Sequence, residues 1–138
     1  MSQLGVILFC AAIPAAVAGF VHPRPPIWSV HTVPDGAVSL QTIQSWGTQP
    51  QWIDARSASD YQAGHVPGAQ HLSLSEWNHG IQAVLEAWTP GRPVVVYCDE
   101  RACQEGRHVA EALRREYGLD QVWTLHGGWS AWLSHSRR

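Results

Sequence analysis

T-P-G-R-P-V-V-V-Y-C-D-E-R-A-C-Q-E-G-R-H-V-A, residues 89 to 110, is the stretch on which the fold turns. Pro90 and Gly91 mark a turn. Val94, Val95 and Val96 then place β-branched side chains on successive positions, which suits a strand buried on both faces and not one with a wet side. From Gln104 to Tyr117 the period changes. Val109, Ala110 and Leu113 share one helical face, Glu111 and Arg115 make a supporting i,i+4 pair, and Gly118 is positioned to end the helix. Strand, cysteine, short loop and helix therefore follow one another.

The same alternation extends in both directions. Ser39 is the expected N-cap of a short helix carrying Leu40, Ile43 and Trp46, ended by Gly47. A strand at Trp52 and Ile53 precedes a helix from Ser57 to Ala63, and one at His71 and Leu72 precedes a helix with Ile81, Val84, Leu85 and Trp88. Val122 to Leu125 reads as a further strand and Trp129 to Leu133 as a last short helix. Buried-type strands alternating with amphipathic helices predict a three-layer α/β domain, its central sheet mainly parallel and flanked by helices. Trp46, Trp52, Trp88, Trp123, Trp129 and Trp132 are expected to pack in the core and its rim.

Ahead of this domain, Leu4 to Val21 carries no charge over eighteen residues, at the lower end of the roughly 17–25 that span a bilayer. Residues 1–21 are expected to be a membrane anchor or a signal peptide, with small residues at Ala16 and Ala18 that permit cleavage. Residues 22–37 read as a Pro-rich linker, with four prolines between His22 and Pro34, and the folded domain is expected over 38–138. The domain would then be membrane-associated, or exported to the periplasm or cell exterior. Arg24 alone does not set the orientation.

Composition narrows the partners. The formal net charge is -2, with nine basic residues, all Arg, and eleven acids spread along the chain, so no basic stripe exists to follow phosphates and nucleic acid is not an expected partner. Three cysteines make neither a disulfide framework nor a four-ligand zinc set, and no two of the eight histidines have the H-E-x-x-H spacing. Neither a metal nor another cofactor is expected.

Cys98, leaving the C-terminal end of a buried strand, would face the crevice where open parallel sheets bind their ligands. Loop amides and the start of the next helix would favour an anionic sulfur there. On position alone, a buried and inert cysteine fits as well.

Three motifs separate these readings: W-I-D-A-R with D-Y-Q-A-G-H-V-P-G-A over residues 52–56 and 60–69, V-V-V-Y-C ending on Cys98, and L-H-G-G-W-S-A-W over 125–132. In this order they resemble the rhodanese family, whose signatures are D-x-R with G-H-I-P-G-A, a strand-end cysteine and a closing L-x-G-G-x-x-x-W. The resemblance runs from Val38 to Leu133. It implies a sulfurtransferase in which Cys98 takes a sulfane sulfur from a small-molecule donor such as thiosulfate and passes it, as a persulfide, to a thiol or cyanide-like acceptor. Asp99, Glu100, Arg101, Ala102 and Cys103 would form the substrate-binding loop. Asp54 and Arg56 would support the scaffold, and His65 would be a turn histidine.

The loop departs from the family's C-x-x-G-x-R: Arg101 stands three residues after Cys98 and Cys103 five after, where Gly and Arg are expected. The apolar pair Val109 and Ala110 arrives two residues late, so the loop is longer or the helix gains part of a turn. Asp99 and Glu100 would disfavour a thiolate, and Arg101 and Arg107 would offset them. The pattern resembles a variant with a second cysteine, in which Cys98 keeps the nucleophile's role and Cys103 is an auxiliary thiol or a packing residue. Two other readings remain: a dithiol redox protein using Cys98 and Cys103, and a non-catalytic binding module of the same fold. Phosphatase chemistry of the C-x5-R type needs Arg at position 104, which is Gln104.

Overall fold

The computed structural model describes residues 36–99 and 103–138. In chain order the elements are β1 (Ala37–Val38), α1 (Leu40–Gln44), β2 (Gln51–Asp54), α2 (Ala58–Ala63), β3 (Gln70–His71), α3 (Trp77–Ala87), β4 (Val94–Tyr97), α4 (Cys103–Arg115), β5 (Val122–Leu125) and α5 (Gly128–Ser136). The five strands form one sheet in the order β1-β5-β4-β2-β3, and every neighbouring pair is parallel. The strand of three valines is the central one.

Its position explains its composition. Val94 and Val96, with Ile53 and Val122, pack on one face against Val84 of α3 and Val109, Ala110 and Leu113 of α4. Val95 and Tyr97, with Trp52 and Leu125, pack on the other against Ile43 of α1, Val66, Ala69, and Trp129 and Trp132 of α5. A strand with helices on both faces has no wet side, and each fully buried valine contributes about 1.5–3 kcal/mol. The three-layer α/β architecture is thus present, with a sheet parallel throughout.

Local signals act as expected. Ser39 caps α1 by accepting from the Thr42 N–H at 3.2 Å, and Ser57 caps α2 by accepting from the Asp60 N–H at 3.2 Å. Helix α4 starts at Cys103, one residue before its expected start, and closes with the Leu119 N–H donating to the Leu113 carbonyl at 3.2 Å. Trp46, Trp77, Trp88, Trp129 and Trp132 pack against the two core clusters, whereas Trp123, at 36% exposure, tilts against Trp46 on the surface.

One boundary is corrected. Residue 37, assigned to the linker by its sequence, belongs to β1, where Ala37 pairs with Thr124 and the Gly36 carbonyl accepts from the Thr124 N–H at 2.8 Å. A two-residue strand has too few positions to show alternation, so its sequence carries no signal. Further back along β5 the Val122 carbonyl accepts from Arg114, at 3.0 Å from Nε and 2.6 Å from Nη2, which occupies the acceptor a longer β1 would need. The apolar run of residues 4–21 and most of the proline-rich stretch lie outside the described residues. Among the described residues no helix is long and apolar enough to cross a membrane.

Candidate active site

In a parallel sheet all strands end at one edge, and here β2 and β4, which are neighbours, bring Asp54 and Cys98 to it. Asp54 is fully buried and accepts from four donors. The Arg56 backbone N–H reaches Oδ1 at 2.9 Å, Arg56 Nε reaches Oδ1 at 3.0 Å, Arg56 Nη2 reaches Oδ2 at 2.7 Å, and the Tyr97 hydroxyl donates to Oδ2 at 2.8 Å. Tyr97 in turn accepts from the Val66 N–H at 3.0 Å. Arg56 Nη2 also donates to the Gly64 carbonyl at 2.6 Å, and its guanidinium carbon stands 4.4 Å from the centre of a Trp129 ring.

Charge in this hub is locked. Burial works against the Arg56 cation, but the hydrogen bond and charge of Asp54 outweigh it, with help from Tyr97 and Asp99, so its pKa rises. Burial pushes the Tyr97 hydroxyl well above its usual value, Asp54 reinforces the shift, and the Val66 N–H and Arg56 oppose it. Tyr97 therefore stays a neutral donor.

Cys98 follows β4 directly and is 4% exposed. Two glycines from different elements close on it. Gly106, in the first turn of α4, lies so near the thiol that a Cβ there would stand 3.1 Å from Cys98 Sγ. The opening turn of α4 thus rests on the sulfur. From the other side the Trp129 N–H donates to the Cys98 carbonyl at 2.9 Å, and a Cβ on Gly128 would fall 2.1 Å from that oxygen.

The chain matches the rhodanese-like domain family over residues 38–135. The chain belongs to that family. It is 29% identical over 131 residues to the uncharacterized protein YqhL of Bacillus subtilis (strain 168), covering 95% of this chain and 92% of that protein. It is 30% identical over 79 residues to the thiosulfate sulfurtransferase GlpE of Pseudoalteromonas translucida (strain TAC 125), covering 57% of this chain and 69% of that one. Among solved structures the Alr3790 protein from Anabaena sp. superposes with a TM-score of 0.55 at 24% identity, over 70% of this chain and 81% of that chain, a likeness of fold.

All three rhodanese motifs converge at one sheet edge. The first supplies Asp54, Arg56 and the Gly64 carbonyl, the second Tyr97 and Cys98, and the third Gly128 and Trp129. His65 stands apart, exposed, stacked on Tyr61 at 4.0 Å, with its Nδ1 2.8 Å from the Tyr61 carbonyl, which makes that nitrogen the donor. Of the loop, Asp99 is half-buried, while Glu100, Arg101 and Ala102 lie outside the described residues. Cys103 opens α4 three residues ahead of Gly106. Arg107, expected to offset the loop's acids, lines a groove at the β1–β5 edge with Gly36, Arg114 and Thr124.

Sequence reasoning missed Tyr97, Gly106 and the hold of Trp129 on Cys98. Tyr97 had a visible signal: it is the one residue with a polar tip at the end of an otherwise aliphatic strand. The other two depend on how separate elements pack together and had none. A groove between Leu40, Trp52 and Trp132 opens near Pro50, at the opposite end of the strands from Cys98.

Proposed function

We propose that the protein is a sulfurtransferase that carries a sulfane sulfur on Cys98. The observation that supports this best is the cysteine's setting, at the end of the central strand with the first turn of α4 on its sulfur through Gly106. Similarity to a thiosulfate sulfurtransferase supports the same reading and suggests thiosulfate as donor. The Cys98 thiolate attacks the outer sulfur of thiosulfate, a sulfur–sulfur bond forms, and sulfite leaves with the electron pair of the broken bond. The Cys98 persulfide then gives its outer sulfur to cyanide, as thiocyanate, or to a thiol, and the thiolate is restored. No metal or cofactor enters these steps.

The remaining assignments belong to the same proposal. Asp99 to Cys103 form the loop that meets the donor, Asp54 and Arg56 support the scaffold at the sheet edge, His65 supports the turn after α2, and Cys103 is an auxiliary thiol and not the carrier. The apolar segment of residues 1–21 directs the domain to a membrane, as anchor or export signal, followed by the linker. The similarity to YqhL covers all but seven of the 138 residues, so it extends into that segment. Recovery of the full-length chain, N-terminus intact, wholly in the soluble fraction of cells would overturn the membrane assignment.

Intact-mass measurement of the protein after incubation with thiosulfate tests the activity. The expected result is a gain of one sulfur atom, removed by cyanide and absent in Cys98→Ser, because an alcohol is too weak an acid to attack sulfur at neutral pH. No gain with thiosulfate or any other sulfane donor rejects sulfur transfer. A reversible loss of two hydrogens instead, with Cys98 joined to Cys103, would establish the dithiol reading.

A further inference from the structure

We infer that the groove between α4 and the β1–β5 edge is an oxyanion site, built by Arg107 and Arg114 to take a phosphate group. It uses none of the side chains that meet Cys98 and is independent of the sulfurtransferase reading.

Arg107, Ala110, Glu111 and Arg114 stand at positions i, i+3, i+4 and i+7 of α4 and so share one flank of it, next to the face that packs in the core through Val109 and Leu113. Together with Arg115, Gly36 ahead of β1 and Thr124 of β5, this flank lines a groove of about 360 Å³. That is large enough for a phosphate and the group that carries it.

Arg114 is half-buried and held by the backbone. Its Nε and Nη2 both donate to the Val122 carbonyl, at 3.0 Å and 2.6 Å, so one edge of the guanidinium is fixed and its Nη1 group is left for another acceptor. Gly36 keeps that guanidinium clear: a Cβ there would stand 3.0 Å from Arg114 Nη2, and the φ of +82° itself favours glycine. Among the described residues neither Arg107 nor Arg114 makes an ion pair, whereas the buried Arg56 is paired with Asp54. Glu111, the one acid lining the groove, is drawn to Arg115, 2.9 Å from its Nη2.

A cation that has lost part of its water and has no counter-charge favours an anion. Arg107 and Arg114 stand two turns apart, about 10 Å along the helix axis, with only the small side chain of Ala110 and the paired Glu111 between them, so both can close on one ligand. Each guanidinium presents a planar fork of donors. A carboxylate offers its two oxygens to one fork, whereas a phosphate offers enough for both.

The test follows the Arg Nε–Hε signals of the isotope-labelled full chain by NMR as inorganic phosphate replaces chloride at constant ionic strength, and in a second arm as dihexanoyl phosphatidylglycerol is added below its micelle-forming concentration. The Arg107 and Arg114 signals are expected to move on one saturating curve, while Arg92, whose Nε donates to the Gln49 carbonyl outside the groove, stays still. Arg107→Gln, at an exposed position with no hydrogen bond to lose among the described residues, is expected to fold as the parent does and to weaken the Arg114 response about tenfold, the worth of one charge-assisted hydrogen bond. A response to inorganic phosphate assigns the site to soluble phosphate-bearing molecules, and a response to the lipid alone assigns it to a membrane headgroup. No saturating response in either arm, a response of Arg92 equal to that of Arg114, or an unchanged affinity in Arg107→Gln would overturn the inference. The measurement involves no sulfur transfer, so failure of either proposal leaves the other standing.

Discussion

At the end of β2, Asp54 and Arg56 are buried, and each is tied to several partners: the carboxylate to the guanidinium, a backbone N–H and the Tyr97 hydroxyl, the guanidinium also to the Gly64 carbonyl and the Trp129 ring. At the end of β4, one strand away, Cys98 is equally buried, with Gly106 against its sulfur and Gly128 against its carbonyl, both brought close by the absence of a side chain. The first region removes every degree of freedom from two charges. The second fixes the backbone of a cysteine and sets its sulfur against the first turn of α4. Rigidity at β2 is therefore spent on holding the edge from which β4 presents its cysteine, and the two regions share Tyr97, whose ring stacks on Trp129 at 6.0 Å.

Removing one partner of the buried pair should give the largest effect on this contrast. Asp54→Ala leaves the Arg56 cation with no counter-charge in the core, and a loss of about 3–5 kcal/mol is expected in urea unfolding. A loss below about 1 kcal/mol would mean that the hub is not the anchor of this edge.

Tyr97→Phe comes next, because it leaves the Val66 N–H without its acceptor and takes one donor from Asp54. A loss of about 1–3 kcal/mol is expected, measured the same way. It carries a pH signature. The folded state holds the Tyr97 proton more tightly than the unfolded chain, so the parent's stability is complete below the ordinary tyrosine value near 10 and falls as pH rises beyond it. Tyr97→Phe should flatten that decline. An unchanged slope above pH ~10 would place Tyr97 outside the locked hub.

Gly106→Ala should produce the smallest effect on stability and one confined to the β4 side. A Cβ 3.1 Å from Cys98 Sγ requires the helix or the sulfur to yield by a few tenths of an ångström, and a cost near 1 kcal/mol is expected, at the low end for overpacking. Persulfide formation on Cys98 should slow by more than that stability change accounts for, read as the rate of mass gain with thiosulfate. Equal rates in parent and variant would show that α4 does not set the space around the sulfur.

How much of this was legible follows from the range of the interactions. The three valines before Tyr97 read as a strand covered on both faces, the period change after Cys98 read as a helix, and the motif order resembled one family. Local periodicity and turn chemistry carry that information within a single element. Asp54 and Arg56 are close enough in sequence for their pairing to be read as scaffold. The short edge strand β1 escaped because two residues hold no pattern.

The amino-acid sequence by itself therefore determined the α/β alternation, the central strand and the cysteine at its end. Only the tertiary structure decided what surrounds that cysteine. Trp129 reaches the Cys98 carbonyl, Gly106 meets its sulfur, and Tyr97 meets Asp54 across the β2–β4 pairing, contacts made by residues eight to forty-three apart in the chain. Nothing in local propensity encodes such contacts. They exist because parallel strands, joined by crossover helices, bring all their ends to one edge, and the sheet order chooses which ends become neighbours.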